Sequence, residues 1–364
     1  MSGSALDGLD IVYVHFQDTG GKWSYELQQA ATHPYTKEWA ARLQQATALS
    51  ALDYQLLHTA YGHYIGLEIN RFINAHGLHH KVDLVASHGH TTFHLPARQM
   101  TGQIGDGAAI AAETELPVVS DLRAMDIAFG GQGAPIVPIG EKLLLGQYAY
   151  FLNLGGIANI SAAPTAAGPA GQKLVAFDTC PANRVLNMLV APLEMEYDED
   201  GKTAAQGSIH IPLLNELNAQ AWYQQPPPKS LANDFGTHTL YPLIKKYQLP
   251  VQDELRTYVE HIAIQIKNAL AAVNDQQPAT SNPQVLATGG GVLNLFLVER
   301  IAAQLKDLSI EVVLPAKDLI NYKEALIMAL IGVLRWREEY NILSSVTGAR
   351  RNTINGAVWL GNEA

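Results

Sequence analysis

Short apolar strands alternating with amphipathic helices predict an α/β fold of more than one unit. Three observations carry this. Apolar runs bounded by Gly, Asp and Pro recur along the chain, each with strand length and composition. Helical periodicity fills the segments between them; Leu255, Val259, Ile262, Ile266 and Leu270 share one face of an expected helix over Asp253–Val273. The chain has 364 residues, more than one core ordinarily holds, and the strand pattern restarts near Tyr148.

In order, strands are expected at Ile11–Phe16, Asp83–Ser87 and Pro117–Ser120, with helices over Lys37–Ala46, Tyr54–Ile73 and Gly107–Glu115. After a boundary near Ile136–Gly146 come strands at Tyr148–Leu154, Ile157–Ser161 and Leu174–Phe177 and a helix over Arg184–Ala191 that should stop at Pro192. Ala163–Gly171 reads as a small-residue turn region, and Asp198–Gly201 and Gln224–Ser230 as loops. A strand at Gln284–Ala287, a helix over Leu295–Leu305, a strand at Glu311–Leu314 and a helix over Lys323–Arg337 complete the pattern. The chain thus divides into 1–140 and 141–364, the first part expected to be completed by C-terminal helices.

Composition excludes several classes. Hydrophobic residues are 48% and charged residues 16%, so a large interior can be buried and disorder is not expected. Lys+Arg 24 against Asp+Glu 34 gives a net charge of −10, which argues against a phosphate-backbone binder. Cys180 is the single cysteine, so an internal disulfide and a multi-cysteine metal centre are impossible. No basic, then apolar, leader opens the sequence and no uncharged apolar run reaches the ~20 residues of a membrane span. The expectation is a soluble, cytoplasmic protein.

Five loops beside strands hold most of the polar and glycine signal: Gly3–Gly8, His88–Thr92, Gly130–Pro135, Gly155-Gly156 and Gly289–Gly291. Glycine lets backbone N–H groups approach a phosphate closely; each loop alone is equally a tight turn. Neither a Walker A loop nor a dinucleotide fingerprint is present. Asp178 follows an apolar strand and precedes Pro181, which suits a general base or metal-associated carboxylate, or an Asx-turn capping the next helix. Asp7 and Asp10 suit a magnesium–phosphate complex or ordinary turn chemistry. Arg123 suits an anionic group, or a pairing with Asp121 or Asp126. Glu324 reads as the first-turn carboxylate of an apolar helix, where the helix dipole favours it, or as a group aimed at a ligand. His88, His90 and His94 have weak metal-ligand spacing, and no metal site is expected from them. Cys180 has no His–Asn arrangement that would make it a nucleophile.

These segments together resemble the anhydro-N-acetylmuramic acid kinase family. The resemblance rests on MSGSALDGLD at Met1–Asp10, SHGHTTFH at Ser87–His94, QIGDG at Gln103–Gly107, VVSDLRAMDIAFGGQGAPIVP at Val118–Pro138, LNLGGIANIS at Leu152–Ser161 and FDTCPAN at Phe177–Asn183. PPPKS, TGGG before Asn294, KEALIMAL and SVTGA extend it over nearly the whole chain.

The resemblance implies two ribonuclease-H-like, actin-like ATPase domains with a cleft between them, using ATP and Mg²⁺, and a homodimer. It implies ATP contacts from Gly3, Ser4, Ala5, Leu6, Asp7, Gly8, Leu9 and Asp10, from Gly155 and Gly156, and from Gly289, Gly290 and Gly291. Asp178 matches the catalytic aspartate, and His90, Thr91, Arg123 and Glu324 match sugar-binding positions, with Arg123 near the lactyl carboxylate. The implied reaction opens 1,6-anhydro-N-acetylmuramic acid with water and phosphorylates O6, giving N-acetylmuramic acid 6-phosphate in cell-wall recycling. His90 stands where many members have Gln, Cys180 and Ala182 where they have Gly, and Ser4-Ala5 where Thr-Ser is usual. These departures keep open a kinase for another amino sugar; an actin-like nucleotide-binding protein without a sugar substrate is the alternative from another class. The family also has an apolar strand ahead of the first loop, so the expectation is that translation of the natural protein starts upstream of Met1.

Overall fold

Gly20 and Gly21, with φ of 62° and 83°, close a tight turn whose twist suits a two-residue hairpin. They join β1 (Gly8–Thr19) to β2 (Lys22–Pro34), which pair antiparallel with one irregularity between Tyr13 and Val14. The sequence reading placed β1 and missed β2, whose residues are largely polar and never form an apolar run; the Gly-Gly pair was the available signal.

The computed structural model describes residues 1–3, 6–162, 174–227, 229–231, 234–274 and 283–361. The turn region expected at 163–171 lies outside them. After the hairpin come α1 (Lys37–Gln44), α2 (Ala51–His76), β3 (Val85–Ala86), β4 (His90–Leu95), β5 (Met100–Ile104), α3 (Gly107–Thr114), β6 (Val118–Ser120), α4 (Ala124–Ala128) and α5 (Pro138–Leu144). Next are β7 (Tyr150–Leu154), β8 (Ile157–Ala162), β9 (Val175–Pro181), α6 (Asn183–Val190), α7 (Lys202–Gln206), α8 (Ile211–Asn218), α9 (Tyr241–Lys245) and α10 (Val251–Asn274). β10 (Gln284–Thr288), α11 (Leu295–Leu305), β11 (Glu311–Val313), α12 (Lys317–Trp336), α13 (Ser344–Thr347) and β12 (Ala357–Trp359) end the chain's regular structure.

The chain forms two compact units, one of Met1–Leu145 with Tyr322–Ala364 and the other of Gly146–Asn321. In the first, β12, β6 and β3 form a sheet, β12 antiparallel and β3 parallel to β6. Its core gathers Leu9 and Tyr13 of β1 with Tyr61, Ile65, Phe72 and Ile110. Ser50 caps the N-terminus of α2 by accepting a bond from Asp53 N, and Gly77 ends it in the left-handed region at φ 60°. In the second unit a five-stranded sheet has the order β11-β10-β7-β8-β9. β10 runs parallel to β11 and β7, whereas β7, β8 and β9 pair antiparallel. The predicted apolar face of α10 is fully buried against this unit's core. Both units are thus α/β, as expected.

Three local differences bear on function. The expected loop at 88–92 is in part β4, paired antiparallel with β5; its polar residues hid the strand pattern. β9 runs through Asp178 to Pro181 instead of ending before it. α12 begins at Lys317, so Glu324 lies inside that helix and not in its first turn, and the helix-dipole account of this carboxylate fails. Among the described residues no helix is long and apolar enough to cross a membrane.

Candidate active site

In the second unit the two predicted glycine turns meet. The β7–β8 turn turns its carbonyls onto the start of α6: Ala182 N donates to Gly156 O at 2.8 Å and Asn183 N to Gly155 O at 3.1 Å. The Asn183 side-chain amide donates to Leu154 O at 3.0 Å. The Gly289–Gly291 loop packs on the same groups. A Cβ on Gly289, whose φ is 85°, would stand 2.5 Å from Asn153 Oδ1, and one on Gly291 2.8 Å from Asn183 Oδ1. Only glycine permits that approach. On the other side the turns are open: a Cβ on Gly290 would meet nothing within 4 Å, and on Gly156 nothing nearer than 3.9 Å. Asn183, which the sequence reading quoted only as part of a motif, is the residue that ties the turns together.

Asp178 lies on β9 in register with Asn159 of β8, beside the irregularity at Ala158/Asn159. Its backbone N donates to Lys229 O at 2.9 Å. Its Oδ2 accepts from Leu231 N at 2.8 Å and from the Ser230 hydroxyl at 3.3 Å. Among the described residues these side-chain bonds both fall on Oδ2. Burial pushes the Asp178 carboxyl above the usual range, and the bonds from Leu231 and Ser230 pull the other way. Lys229 itself is turned aside, over the Trp222 ring at 4.3 Å and donating to Tyr223 O at 3.1 Å. The buried Cys180 thiol is pushed up to about 12, which keeps it protonated and inert as a nucleophile.

In the first unit the N-terminal loop closes on itself: Asp10 N donates to Met1 O at 2.9 Å, and Ser2 bridges to Leu9. Ser4 and Ala5 lie outside the described residues. Gly3 has open space at its Cβ position, Leu6 is left-handed at φ 56°, and Gly8 opens β1 against the His33 backbone. Asp10 accepts from the Thr32 hydroxyl at 2.6 Å, and burial raises its pKa. Ser2 joins this loop to His90, 3.1 Å from its Nδ1. His90 is buried and its pKa lowered by desolvation, so it is a neutral ring. Thr91, one residue on, is exposed and accepts from Gln103 at 3.3 Å.

Arg123 is the sharpest feature of this unit. It pairs with neither Asp121 nor Asp126: Asp121 accepts from the Ser120 hydroxyl, and Asp126 from Thr347 and Gly133 N. Its Nε instead donates to His88 Nε2 at 2.8 Å, and Nη1 donates to Gly133 O. His88 Nδ1 lies 3.0 Å from Gly89 O, which can only accept. The proton therefore sits on Nδ1, and Nε2 is a lone-pair acceptor. Burial and the Arg123 charge hold the His88 pKa down at about 3. Burial likewise lowers Arg123 to about 10, opposed by the charges of Glu324 and Asp126. Among the described residues no carboxylate forms an ion pair with Arg123. Glu324 is exposed on α12, next to Lys323, whose ammonium is buried in a 3.0 Å pair with Glu141.

The family model for anhydro-N-acetylmuramic acid kinase matches residues 1–361. The chain belongs to that family. A relative so named from Francisella tularensis subsp. novicida is 31% identical over 98% of this chain and 97% of its own length. Another from Bacillus thuringiensis subsp. konkukian is 29% identical over the same shares. Among solved structures, an activator of 2-hydroxyisocaproyl-CoA dehydratase from Clostridium difficile with bound ADPNP overlaps 61% of this chain and 68% of that one, at 13% identity and a TM-score of 0.34.

Within this anhydro-N-acetylmuramic acid kinase family chain, the candidate residues fall into two groups. Gly155, Gly156, Gly289, Gly290 and Gly291 come together in the second unit, which also carries Asp178. Gly3, Leu6 to Asp10, His90, Thr91, Arg123 and Glu324 belong to the first. The sequence reading missed His88 as the partner of Arg123 and Ser230 as a partner of Asp178. The His-x-His spacing drew attention to metal chemistry, and nothing in the spacing to Arg123 signals a bond.

Proposed function

We propose that this protein is an ATP-dependent kinase that opens 1,6-anhydro-N-acetylmuramic acid with water and phosphorylates O6, yielding N-acetylmuramic acid 6-phosphate and ADP. The carrying observation is Arg123, a half-buried guanidinium fixed by a neutral histidine and a carbonyl, with no carboxylate ion-paired to it among the described residues. Such a cation calls for an anionic ligand, and the lactyl carboxylate of the sugar supplies one. A neutral amino sugar would leave it only the charges of Glu324 and Asp126, neither of which is ion-paired with it. His90, Thr91 and Glu324 complete the sugar contacts in this reading.

Asp178 is the base. Its Oδ1 takes a proton from water as the water oxygen bonds to the anomeric carbon. The C1–O6 bond breaks, and O6 bonds to the γ-phosphorus as ADP leaves. Burial raises the carboxyl's proton affinity, which improves it as a base near neutral pH. The open glycine turns at 155–156 and 289–291 suit phosphate and adenosine groups, as does the loop of Gly3 to Asp10. Asp7 and Asp10 offer the hard oxygen donors that Mg²⁺ accepts alongside phosphate oxygens; when bound, the ion neutralises charge on the transferred group. The same reading carries a cytoplasmic location and a homodimer, which fractionation and light scattering would check.

The deciding assay supplies ATP with the anhydro-sugar and weighs the product. A sugar phosphate that has gained one water supports the proposal. Phosphorylation only of another amino sugar, or ATP turnover indifferent to any sugar, refutes it.

A further inference from the structure

The residues that hold Asp178 come from a segment that is neither helix nor strand where they touch it. After α8 the chain makes one short helical turn, Ala221–Gln224. It then runs through Pro226, Pro227 and Pro228 to Lys229, Ser230 and Leu231. The last three supply the bonds: Lys229 O accepts from Asp178 N, and the Ser230 hydroxyl and Leu231 N donate to Oδ2. The prolines fix φ but carry no N–H, so they cannot tie the segment down by donating. The Lys229 ammonium does so. It donates to Tyr223 O at 3.1 Å and to Trp222 O at 3.4 Å, and it stands 4.3 Å over the Trp222 ring. The side chain of Lys229 thus grips residues 222 and 223 while its own carbonyl grips Asp178.

The gripped end is bolted to the core of the second unit. Tyr223 Oη lies 2.9 Å from Nε2 of His261, which is buried on α10. His261 Nδ1 lies 2.7 Å from Asn218 Oδ1, which also accepts from the Gln265 side-chain amide at 2.8 Å. An amide oxygen only accepts, so the His261 proton sits on Nδ1. Nε2 is then an acceptor, and the Tyr223 hydroxyl donates to it. A continuous path of short bonds therefore runs from α10 through Tyr223 and Lys229 to Asp178. We propose that Lys229 is a positioning residue: its ammonium, bound to the carbonyls of Trp222 and Tyr223, fixes the strap of residues 222–231 that aims the Asp178 carboxylate. The inference rests on Asp178 being the base. A lysine that instead reached a phosphate would have to leave both carbonyls and the ring.

Lys229→Met keeps the length and the apolar stem over Trp222 and removes the charge and the donors. In the full chain, hydrogen exchange of the Leu231 and Asp178 amides should speed at least tenfold as the strap loosens, while the amides of α10 keep the parent's protection. kcat should fall roughly tenfold, as for a misaimed base, with the ATP KM unchanged. The acid limb of the kcat profile should move to higher pH, because the bonds from Leu231 and Ser230 lower the carboxyl's pKa and would be weakened. Loss of the positive charge pushes the limb the same way, so exchange of the two amides is the deciding readout. Lys229→Arg keeps a cation with donors over the ring and should restore both exchange and kcat. Tyr223→Phe releases the strap from α10 and should speed the same two amides by a smaller factor. Parent-like exchange of both amides in Lys229→Met overturns the proposal. So does faster exchange throughout α10, which would mark a general loss of packing, or an Arg variant as impaired as the Met one. Faster exchange of the two amides with an unmoved acid limb supports the clamp and refutes Asp178 as the base, so the two failures are distinct.

Discussion

The two units prepare for negatively charged ligands in opposite ways. The first commits a full cation, Arg123, half-buried and held by His88 Nε2 and Gly133 O. The second sets an exposed cation, Arg184, beside its glycine turn, with Nε 3.9 Å from the Cβ position of Gly156, while Lys229 near Asp178 is folded away onto Trp222 and backbone carbonyls. A fixed guanidinium suits one planar carboxylate and pays a desolvation cost until it arrives. Open backbone turns suit phosphates of varied geometry and carry no such cost. The contrast teaches how a chain of net charge −10 can prepare for anionic substrates: one unit fixes its cation by hydrogen bonds, and the other sets an exposed arginine beside open backbone turns.

The largest effect should come from the carboxylate in the second unit. Asp178→Asn keeps the acceptor for Leu231 N but cannot take a proton, so kcat should fall by roughly 10²–10⁴-fold. ATP affinity by calorimetry should stay within about twofold, because the glycine turns are untouched. Retained turnover would remove Asp178 as base and end the division of roles between the units.

The next effect probes how Arg123 is held. His88 has a folded pKa of about 3 against about 6.5 unfolded. Between those values the unfolded chain binds a proton that the native state excludes, so stability is full above about pH 6.5 and falls as pH drops toward 3. Each such group contributes roughly 1.4 kcal/mol per pH unit to the slope. His261 of the second unit, also near 3, does the same independently. His88→Gln should therefore lower the slope of unfolding free energy between pH 4 and 6 by about one proton's worth and leave the His261 share. An unchanged slope would mean that His88 is already charged and cannot accept from Arg123.

Arg123→Ala should raise KM for the anhydro-sugar by roughly 10–100-fold, the worth of a charge-assisted contact, with ATP KM unchanged. A sugar analogue lacking the lactyl carboxylate should bind the variant and the parent alike. If the analogue distinguishes them, Arg123 serves the fold and not the ligand.

The glycine turns and the fold class were legible in sequence because they rest on local rules. Gly289 and Gly291 are demanded by backbone approach, and Leu255, Val259 and Ile262 by helical period. β2 and β4 were not legible, since their polar residues satisfy pairing geometry without an apolar run. His88 and Ser230 were not legible for a different reason. Each acts through a contact far along the chain, Arg123 Nε on His88 Nε2 and Ser230 Oγ on Asp178 Oδ2, and no spacing rule encodes such contacts. Glu324 was misread because the start of α12 carries polar residues, Lys317 and Asp318, that concealed its first turns.

Within the second unit, two neighbouring glycines should separate. Gly291→Ala places a methyl against Asn183 Oδ1 and Leu154 O and should destabilise by about 1–3 kcal/mol, with a higher ATP KM. Gly290→Ala enters open space and should leave Tm unchanged. Equal effects would show that the close packing of the two turns is not what requires glycine.

The smallest effect should be Ser230→Ala. The Ser230 hydroxyl bond to Asp178 is long, 3.3 Å, and Leu231 N holds the same oxygen at 2.8 Å. Its loss should lower kcat by less than about tenfold, the range of one neutral hydrogen bond. The direction of the pH effect is the sharper reading. The hydroxyl favours the charged carboxylate and lowers its pKa against the upward pull of burial. Without it, the acid limb of the kcat profile should move to higher pH, because a base of higher pKa needs more alkaline solution to be free. Thr in place of Ser keeps a hydroxyl and should restore the limb. A shift in the opposite direction would mean that this limb belongs to another group, and Asp178 would then lose its claim to the proton.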